Sequence, residues 1–376
     1  MTQNRIYLDF AATAPLRGEA LAAMLPYLEK PSFNPSSLHF EGRRARAALE
    51  EAHERIARSL GAKRKEIVFT GSGSEADALA IAGVTHHRGG RHVVASAIEH
   101  HAVLHAVEAL RERGYDLTLL PVDGAGFVDE ERFAAALRDD TALATVMHAN
   151  NEIGTVQPVE RLAQIARARG VPFHCDAIAS AGRLPISVDA MGVDTLAIAA
   201  HKFGGPKGCG VLYVRDGTAL EPAVRGGGQE RGRRAGTEDV AAAVGTAVAL
   251  ELASSEMERE NERTARLRDD LERGILRTVS ASRVNGGAPR LSNLTSLSFE
   301  GVAAEALAAR LDLEGIAVSP GSACTSGVAG PSHVVEALGS DPRGAVRFSL
   351  GRSTTGEEVE RVLQVMPGVI SELRGP

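Results

Sequence analysis

Cysteine is scarce in this chain: Cys175, Cys209 and Cys324 are all that occur in 376 residues. They form no CxxC pair and are odd in number, which excludes a disulfide framework and points to a reduced, cytoplasmic setting. Lysine is scarce too. Only five of the 42 basic residues are Lys, at positions 30, 63, 65, 202 and 207. A retained lysine therefore invites a chemical reason, because Lys forms imines and Arg does not. There is no basic excess. The net charge is −6, which argues against nucleic acid or a membrane surface as the main partner. No apolar run suits a bilayer: the longest, residues 240–253, is 14 residues and Ala-rich, and reads as a buried helix. The opening MTQNRIYLDF has no basic stretch followed by a long apolar one, so no signal peptide is expected.

What is present is ordinary for a soluble globular protein: 44% apolar and 24% charged residues, which excludes a disordered chain. At about 100–200 residues per domain the length allows two domains or one large one. Strand-like segments at 66–69, 92–95, 116–120, 142–147, 172–175, 195–199 and 210–214 alternate with helix-like ones. This predicts an α/β fold, a mostly parallel sheet covered by helices. Ser36 or Ser37 is the expected cap of a helix that ends before Gly61. The charged stretch 256–273 reads as a long, exposed helix, and shorter strands follow near 294–299 and 316–318. The expected division is a large domain at 16–259 and a smaller α+β domain formed by 1–15 with 260–376.

Open α/β sheets bind ligands at the carboxyl ends of their strands. Four polar clusters fall there: TGSGSE (70–75), HANNE (148–152), Asp176, and His201 with Lys202. Gly73 and Ser74 stand at a strand-to-helix turn that suits an anion, although taken alone such a turn is better explained as a plain strand-to-helix turn with Ser as cap. Lys202 is placed for a Schiff base with a carbonyl cofactor; Lys207 reads as a solvated loop residue. Asp176 ends a buried strand and needs a positive partner, whether a protonated pyridine nitrogen or an Arg. His100 could stack on a flat cofactor and shuttle protons, while His101 and His105 read as surface or packing residues. Cys324 lies in a Gly/Ser/Thr-rich segment that suits an accessible thiol. Cys175 and Cys209 read as inert core. No metal-ligand spacing is present.

Taken together, YLDFAATAP (7–15), NPSSLH (34–39), EHHAV (99–103), NNEIGTVQP (150–158), HKFGGPKG (201–208), GGGQERGRRAGT (226–237), PGSACTS (320–326) and VRFSLGRSTT (346–355) resemble the cysteine desulfurases. These are pyridoxal-phosphate enzymes of the class V aminotransferase group, with the fold-type-I architecture of a large domain and a small one. The resemblance implies that Lys202 holds the cofactor and moves the substrate Cα proton. Asp176 binds the pyridine nitrogen, His100 stacks on the ring, and Gly73, Ser74 and His201 hold the phosphate. It also implies that Thr237 reaches the phosphate of a neighbouring subunit, hence a homodimer. Asn151 and Arg347 orient the carboxylate of L-cysteine. Cys324 takes the sulfur as a persulfide for an acceptor, either an iron–sulfur scaffold or a tRNA-thiolation protein.

Two positions depart from the family pattern: Ala179 stands where Gln is usual and Ala199 where Ser is usual. Each removes a hydrogen bond to the cofactor worth roughly 1.5–3 kcal/mol, for which His174, Ser180 or backbone amides are candidate replacements. Selenocysteine lyase and cysteine-sulfinate desulfinase share the scaffold, and a weakly catalytic docking protein for sulfur acceptors is the non-enzymatic alternative. The four arginines of the 225–236 loop read as a subunit contact rather than a nucleic-acid patch, since no aromatics interleave.

Overall fold

A computed structural model describes residues 5–29, 34–321 and 331–375. Among them are thirteen strands: β1 Ile6–Tyr7, β2 Ile67–Thr70, β3 His92–Ser96, β4 Asp116–Leu120, β5 Thr141–Thr145, β6 Phe173–Asp176 and β7 Thr195–Ala199; then β8 Gly210–Val214, β9 Ser282–Asn285, β10 Leu294–Phe299, β11 Ile316–Ala317, β12 Ser319–Pro320 and β13 Ala345–Ser349. The helices are α1 Gly18–Met24, α2 Phe40–Leu60, α3 Gly73–Arg88, α4 His101–Glu112, α5 Glu130–Ala136 and α6 Val159–Ala168; then α7 Val188–Met191, α8 Val240–Thr278, α9 Ala304–Leu313, α10 His333–Ala337 and α11 Gly356–Arg374.

The main sheet has the order β2-β8-β7-β6-β5-β3-β4. Every neighbouring pair is parallel except those made by β8, which runs antiparallel to β2 and β7. Strands β2, β3, β5, β6, β7 and β8 are buried along their whole length, as the near-continuous apolar runs require of a sheet covered on both faces. The chain moves outward from β3 to β4, then returns to lay β5 on the other side of β3. That reversal opens a crevice at the carboxyl ends of β3 and β5, where ligands of such sheets bind.

A second sheet, β12-β13-β10-β9, is antiparallel, and β1 pairs with β11 in a two-stranded parallel unit. Its apolar cluster joins Ile6 and Leu8 to Phe299, Phe348, Val362 and Met366, so the first strand packs with the last third of the chain. The larger cluster gathers Ile56, Phe133, Phe173, Ile198 and Tyr213.

Two expectations change. Residues 240–253 and 256–273 form one helix, α8, of 39 residues. Its first half contributes Ala247 and Leu250 to the larger cluster; Leu271 and Ile275 belong to the smaller. The charged half is thus amphipathic, with Thr264 and Arg268 buried as well, rather than simply exposed. One window of α8 is long and apolar enough to cross a membrane, yet 56% of it is buried inside the protein, as in a core helix. The cap of α2 is His39, whose Nδ1 accepts the Gly42 N–H at 3.1 Å. Ser37 instead lies against Gly42, where a Cβ would fall 2.4 Å from the Ser37 carbonyl oxygen.

Gly210, at the start of β8, shows how packing fixes the site. A Cβ there would sit 2.3 Å from the Ser72 carbonyl oxygen. The obstacle is backbone, and Ser72 caps α3 by accepting the Glu75 N–H at 3.0 Å. Gly210→Ala is therefore expected to destabilise the fold by about 1–3 kcal/mol, measured by denaturant unfolding, and to displace the start of α3. Unchanged stability would show that this approach is looser than it looks.

Candidate active site

The N-terminus of α3 follows β2 directly, so its first N–H groups lie at the carboxyl edge of the sheet, beside the ends of β6 and β7. Gly73 packs closely there: a Cβ would meet Ile178 Cδ1 at 2.4 Å and Ala199 Cβ at 3.1 Å. This close approach brings the ends of β2, β6 and β7 to one point.

Asp176 ends β6. It is 3% exposed, and its Oδ1 accepts the Ile178 N–H at 2.8 Å. Burial, then the nearby Asp77 carboxyl, pushes its pKa up to about 8, while the Lys202 charge draws it back. Burial likewise raises Asp77, and raises Glu99 to about 7. His174 lies between them, bonded to Thr195 Oγ1 at 2.9 Å and 3.2 Å from Asp77 Oδ1. Burial lowers it to about 4, so it is a neutral hydrogen-bonding spacer. Among the described residues Asp176 forms no ion pair, and the positive charge that acts on it is that of Lys202.

Lys202 follows β7 and donates from Nζ to the carbonyls of Ala11 at 2.5 Å and Ala12 at 3.0 Å. That explains the YLDFAATAP motif structurally: it brings two acceptors to the lysine. His201 Nδ1 lies 3.2 Å from Thr13 Oγ1. Burial and the Lys202 and Lys207 charges lower His201 to about 4.

His100 caps α4, its Nδ1 accepting the Ala102 N–H at 3.1 Å. Burial, followed by the Lys202 charge, lowers it to about 4. A neutral ring that accepts at Nδ1 carries its proton on Nε2. Asn151 and Lys202 line one cavity of about 20 Å³ with Ala11, Ala179 and Asn293. Arg347, 3% exposed, holds the Asn151 carbonyl from Nη1 at 2.9 Å and Asp9 Oδ1 from Nη2 at 2.8 Å. Its Nε is buried without a partner, a donor suited to an incoming carboxylate.

The structure therefore brings Lys202, His100, Asp176, His201, Gly73, Asn151 and Arg347 together. Ser74 is exposed in the first turn of α3. Thr237 is exposed too, on a loop fastened to that turn by Arg234 and Glu75 at 2.8 Å. Cys324 lies outside the described residues. Cys175 and Cys209 are buried, and burial raises both thiols, as inert core requires. Asp9, Asp77, Glu99 and Glu152 are polar groups of the site that motif reading passed over. Asp9, Glu99 and Glu152 stand inside the quoted motifs; Asp77, Glu99 and Glu152 are buried, and Asp9 is half-buried. No group of three or more metal-ligating side chains exists among the described residues.

The aminotransferase class-V family profile matches residues 6–362. The chain belongs to the aminotransferase class-V family. A cysteine desulfurase IscS of Dictyoglomus turgidum is 46% identical, covering 99% of this chain and 96% of that protein. A solved NifS-like protein superposes with a TM-score of 0.92 at 33% identity, covering 97% of this chain and 99% of its own. SspA, solved in complex with cysteine, gives 0.82 at 36% identity, covering 92% and 98%.

As a class-V chain, it is tested for pyridoxal phosphate by its own polar groups. They fit: a buried carboxyl that forms no ion pair among the described residues for the pyridine nitrogen, an amine whose charge acts on that carboxyl, and a helix N-terminus at a glycine for the phosphate. The two departures are visible as packing. Ala199 Cβ faces Gly73, and Ala179 is one wall of the 20 Å³ cavity. His174 is committed to Thr195 and Asp77, and Ser180 Oγ to His148 Nδ1 at 2.9 Å and the Ala177 carbonyl at 3.1 Å. Neither is a free substitute for the missing Gln donor.

Proposed function

We propose that this chain is a pyridoxal-phosphate-dependent cysteine desulfurase that converts L-cysteine to L-alanine and passes on the sulfur as a Cys324 persulfide. One observation carries the reading: a lysine and a buried carboxyl needing a cation meet at the carboxyl ends of the sheet, 46% identity to a cysteine desulfurase supplying the reaction class. When bound, the cofactor supplies an electron sink for the bonds at the substrate Cα.

The residues then act as follows. Asp176 holds the proton on the pyridine nitrogen. Gly73, Ser74 and His201 bind the phosphate, and Thr237 serves the neighbouring subunit's site. His100, neutral, covers the ring. Lys202 holds the cofactor through its amine and, once released, moves the proton at the substrate Cα. Arg347 and Asn151 orient the substrate carboxylate. The Cys324 thiolate attacks the substrate sulfur: an S–S bond forms, the substrate Cβ–S bond breaks, and the carbon fragment takes a proton to become L-alanine.

The same reading makes the protein a cytoplasmic homodimer whose acceptor is an iron–sulfur scaffold or a tRNA-thiolation protein. Leu16, Leu21, Leu25, Leu28 and Phe40 are exposed on and around α1 and at the start of α2, an apolar surface that suits a second copy. The division at 16–259 and at 1–15 with 260–376 is supported by the two apolar clusters, to both of which α8 contributes.

The test is a product assay on the cofactor-loaded protein with L-cysteine and a reductant. Alanine and sulfide are expected in equal amounts, and both are lost in Cys324→Ala. Absence of alanine from the unaltered protein overturns the reading and favours selenocysteine or cysteine sulfinate as substrate, or a docking role.

A further inference from the structure

Residues 322–330, which include Cys324, connect Gly321 to the segment leading into α10. The two ends meet at one buried carboxyl. Ser332, 2% exposed, donates from Oγ to Glu152 Oε2 at 2.5 Å, and Glu152 is 3% exposed. The same Oγ accepts the Val335 N–H at 3.1 Å, capping α10. Gly321 lies alongside: a Cβ there would fall 3.1 Å from Ser332 Cβ and 3.5 Å from Glu152 Oε2. Its N–H is held by the Ala345 carbonyl at 2.9 Å. Glu152 itself adjoins Asn151, and its N–H donates to Asn150 Oδ1 at 2.8 Å.

The next residue makes a second joint. His333 Nε2 donates to the Glu99 carbonyl at 3.0 Å, one residue before His100. Its ring packs edge-on against His101 at 4.6 Å. The following residue, Val334, packs with Ile98 and Ile153 in a small buried cluster. The start of α10 is therefore bolted both to the loop that carries His100 and to the loop that carries Asn151. Burying a carboxyl and a hydroxyl together costs desolvation that a freely moving stem would not need.

We propose that Glu152, Ser332 and His333 are positioning residues for the sulfur-transfer step. They fix where the Cys324 segment begins and ends relative to the substrate site. This rests on the desulfurase reading above. Rate penalties for misplaced reacting groups are steep, on the order of 10²-fold for an ångström.

The experiment compares the cofactor-loaded wild type with Ser332→Ala, Ser332→Thr and His333→Phe. It follows alanine release and the Cys324 persulfide by mass in a single turnover, beside the absorption spectrum of the bound cofactor. Ser332→Ala and His333→Phe are expected to lower kcat and persulfide formation by about 10-fold or more. KM for L-cysteine and the cofactor spectrum stay unchanged, and Ser332→Thr recovers the rate. A purely structural role would instead move KM, spectrum and melting temperature together, and overturns the proposal. So do wild-type persulfide rates in both variants. If Ser332→Ala does not fold, His333→Phe, which keeps the ring against His101, decides alone. No alanine from the wild type overturns the functional reading and this inference with it; alanine and persulfide at equal rates in every variant overturns this inference only.

Discussion

Lys202→Ala is expected to reduce turnover of L-cysteine by at least about 10⁴-fold, since it removes both an acid–base group and a covalent anchor. Borohydride reduction followed by mass analysis should find the cofactor attached to wild type and not to the variant. The geometry explains why no neighbour compensates. Nζ is aimed by the Ala11 and Ala12 carbonyls, and the lysine closest in sequence, Lys207, is exposed. Lys202→Arg keeps a charge but cannot form the imine, so it should fail as well. A second readout checks the electrostatics. The Lys202 charge helps hold His100 and His201 at about 4. Both imidazoles should therefore titrate higher in Lys202→Ala, by NMR of the cofactor-free protein. A cofactor adduct that survives the substitution would remove Lys202 from the role.

Asp176→Asn separates chemistry from stability. Turnover should fall by about 10²–10³-fold, the loss typical of one preorganised electrostatic partner, because Asn cannot hold a proton on the pyridine nitrogen as a carboxylate does. The cofactor-free fold should not suffer. Asp176 is raised to about 8 in the folded chain, far above its unfolded value of about 3.9. The folded state then binds the extra proton, and stability falls as pH rises through the folded pKa. The wild-type melting temperature without cofactor should carry a decline that runs from about pH 4 to 8 and levels off above 8; it is read free of the histidines between about pH 6.5 and 8, and it should shrink in Asp176→Asn. The buried histidines held near 4 lose stability only at lower pH, below their unfolded pKa of about 6.5. Added cofactor should flatten the wild-type decline, since it gives the ionised carboxylate its partner. A decline of the same size in Asp176→Asn would place the titrating group elsewhere, with Glu99 and Glu152, both near 7, the first to examine.

The strand series was legible because buried parallel strands are apolar along their length, and α4 and α6 because they end near glycines. The helix of 39 residues was not, since its composition changes at about residue 254 from apolar to charged. Only the two clusters it joins explain why one helix tolerates both. The cap of α2 escaped because a histidine nitrogen replaced the expected serine oxygen.

Lys202, Asp176 and the motif set are determined by the sequence itself: residue type and order along the strand ends imply imine chemistry and a buried carboxyl. Contacts between residues far apart in the chain were decided only by the tertiary structure. Arg347 meets Asp9 across 338 positions and Asn151 across 196, and Ser332 meets Glu152 across 180. Sequence periodicity reports which face of an element is buried, whereas partners of buried charges depend on how separate elements dock. The desolvation that sets Asp176 near 8 and His100 near 4 arises only once those elements have packed.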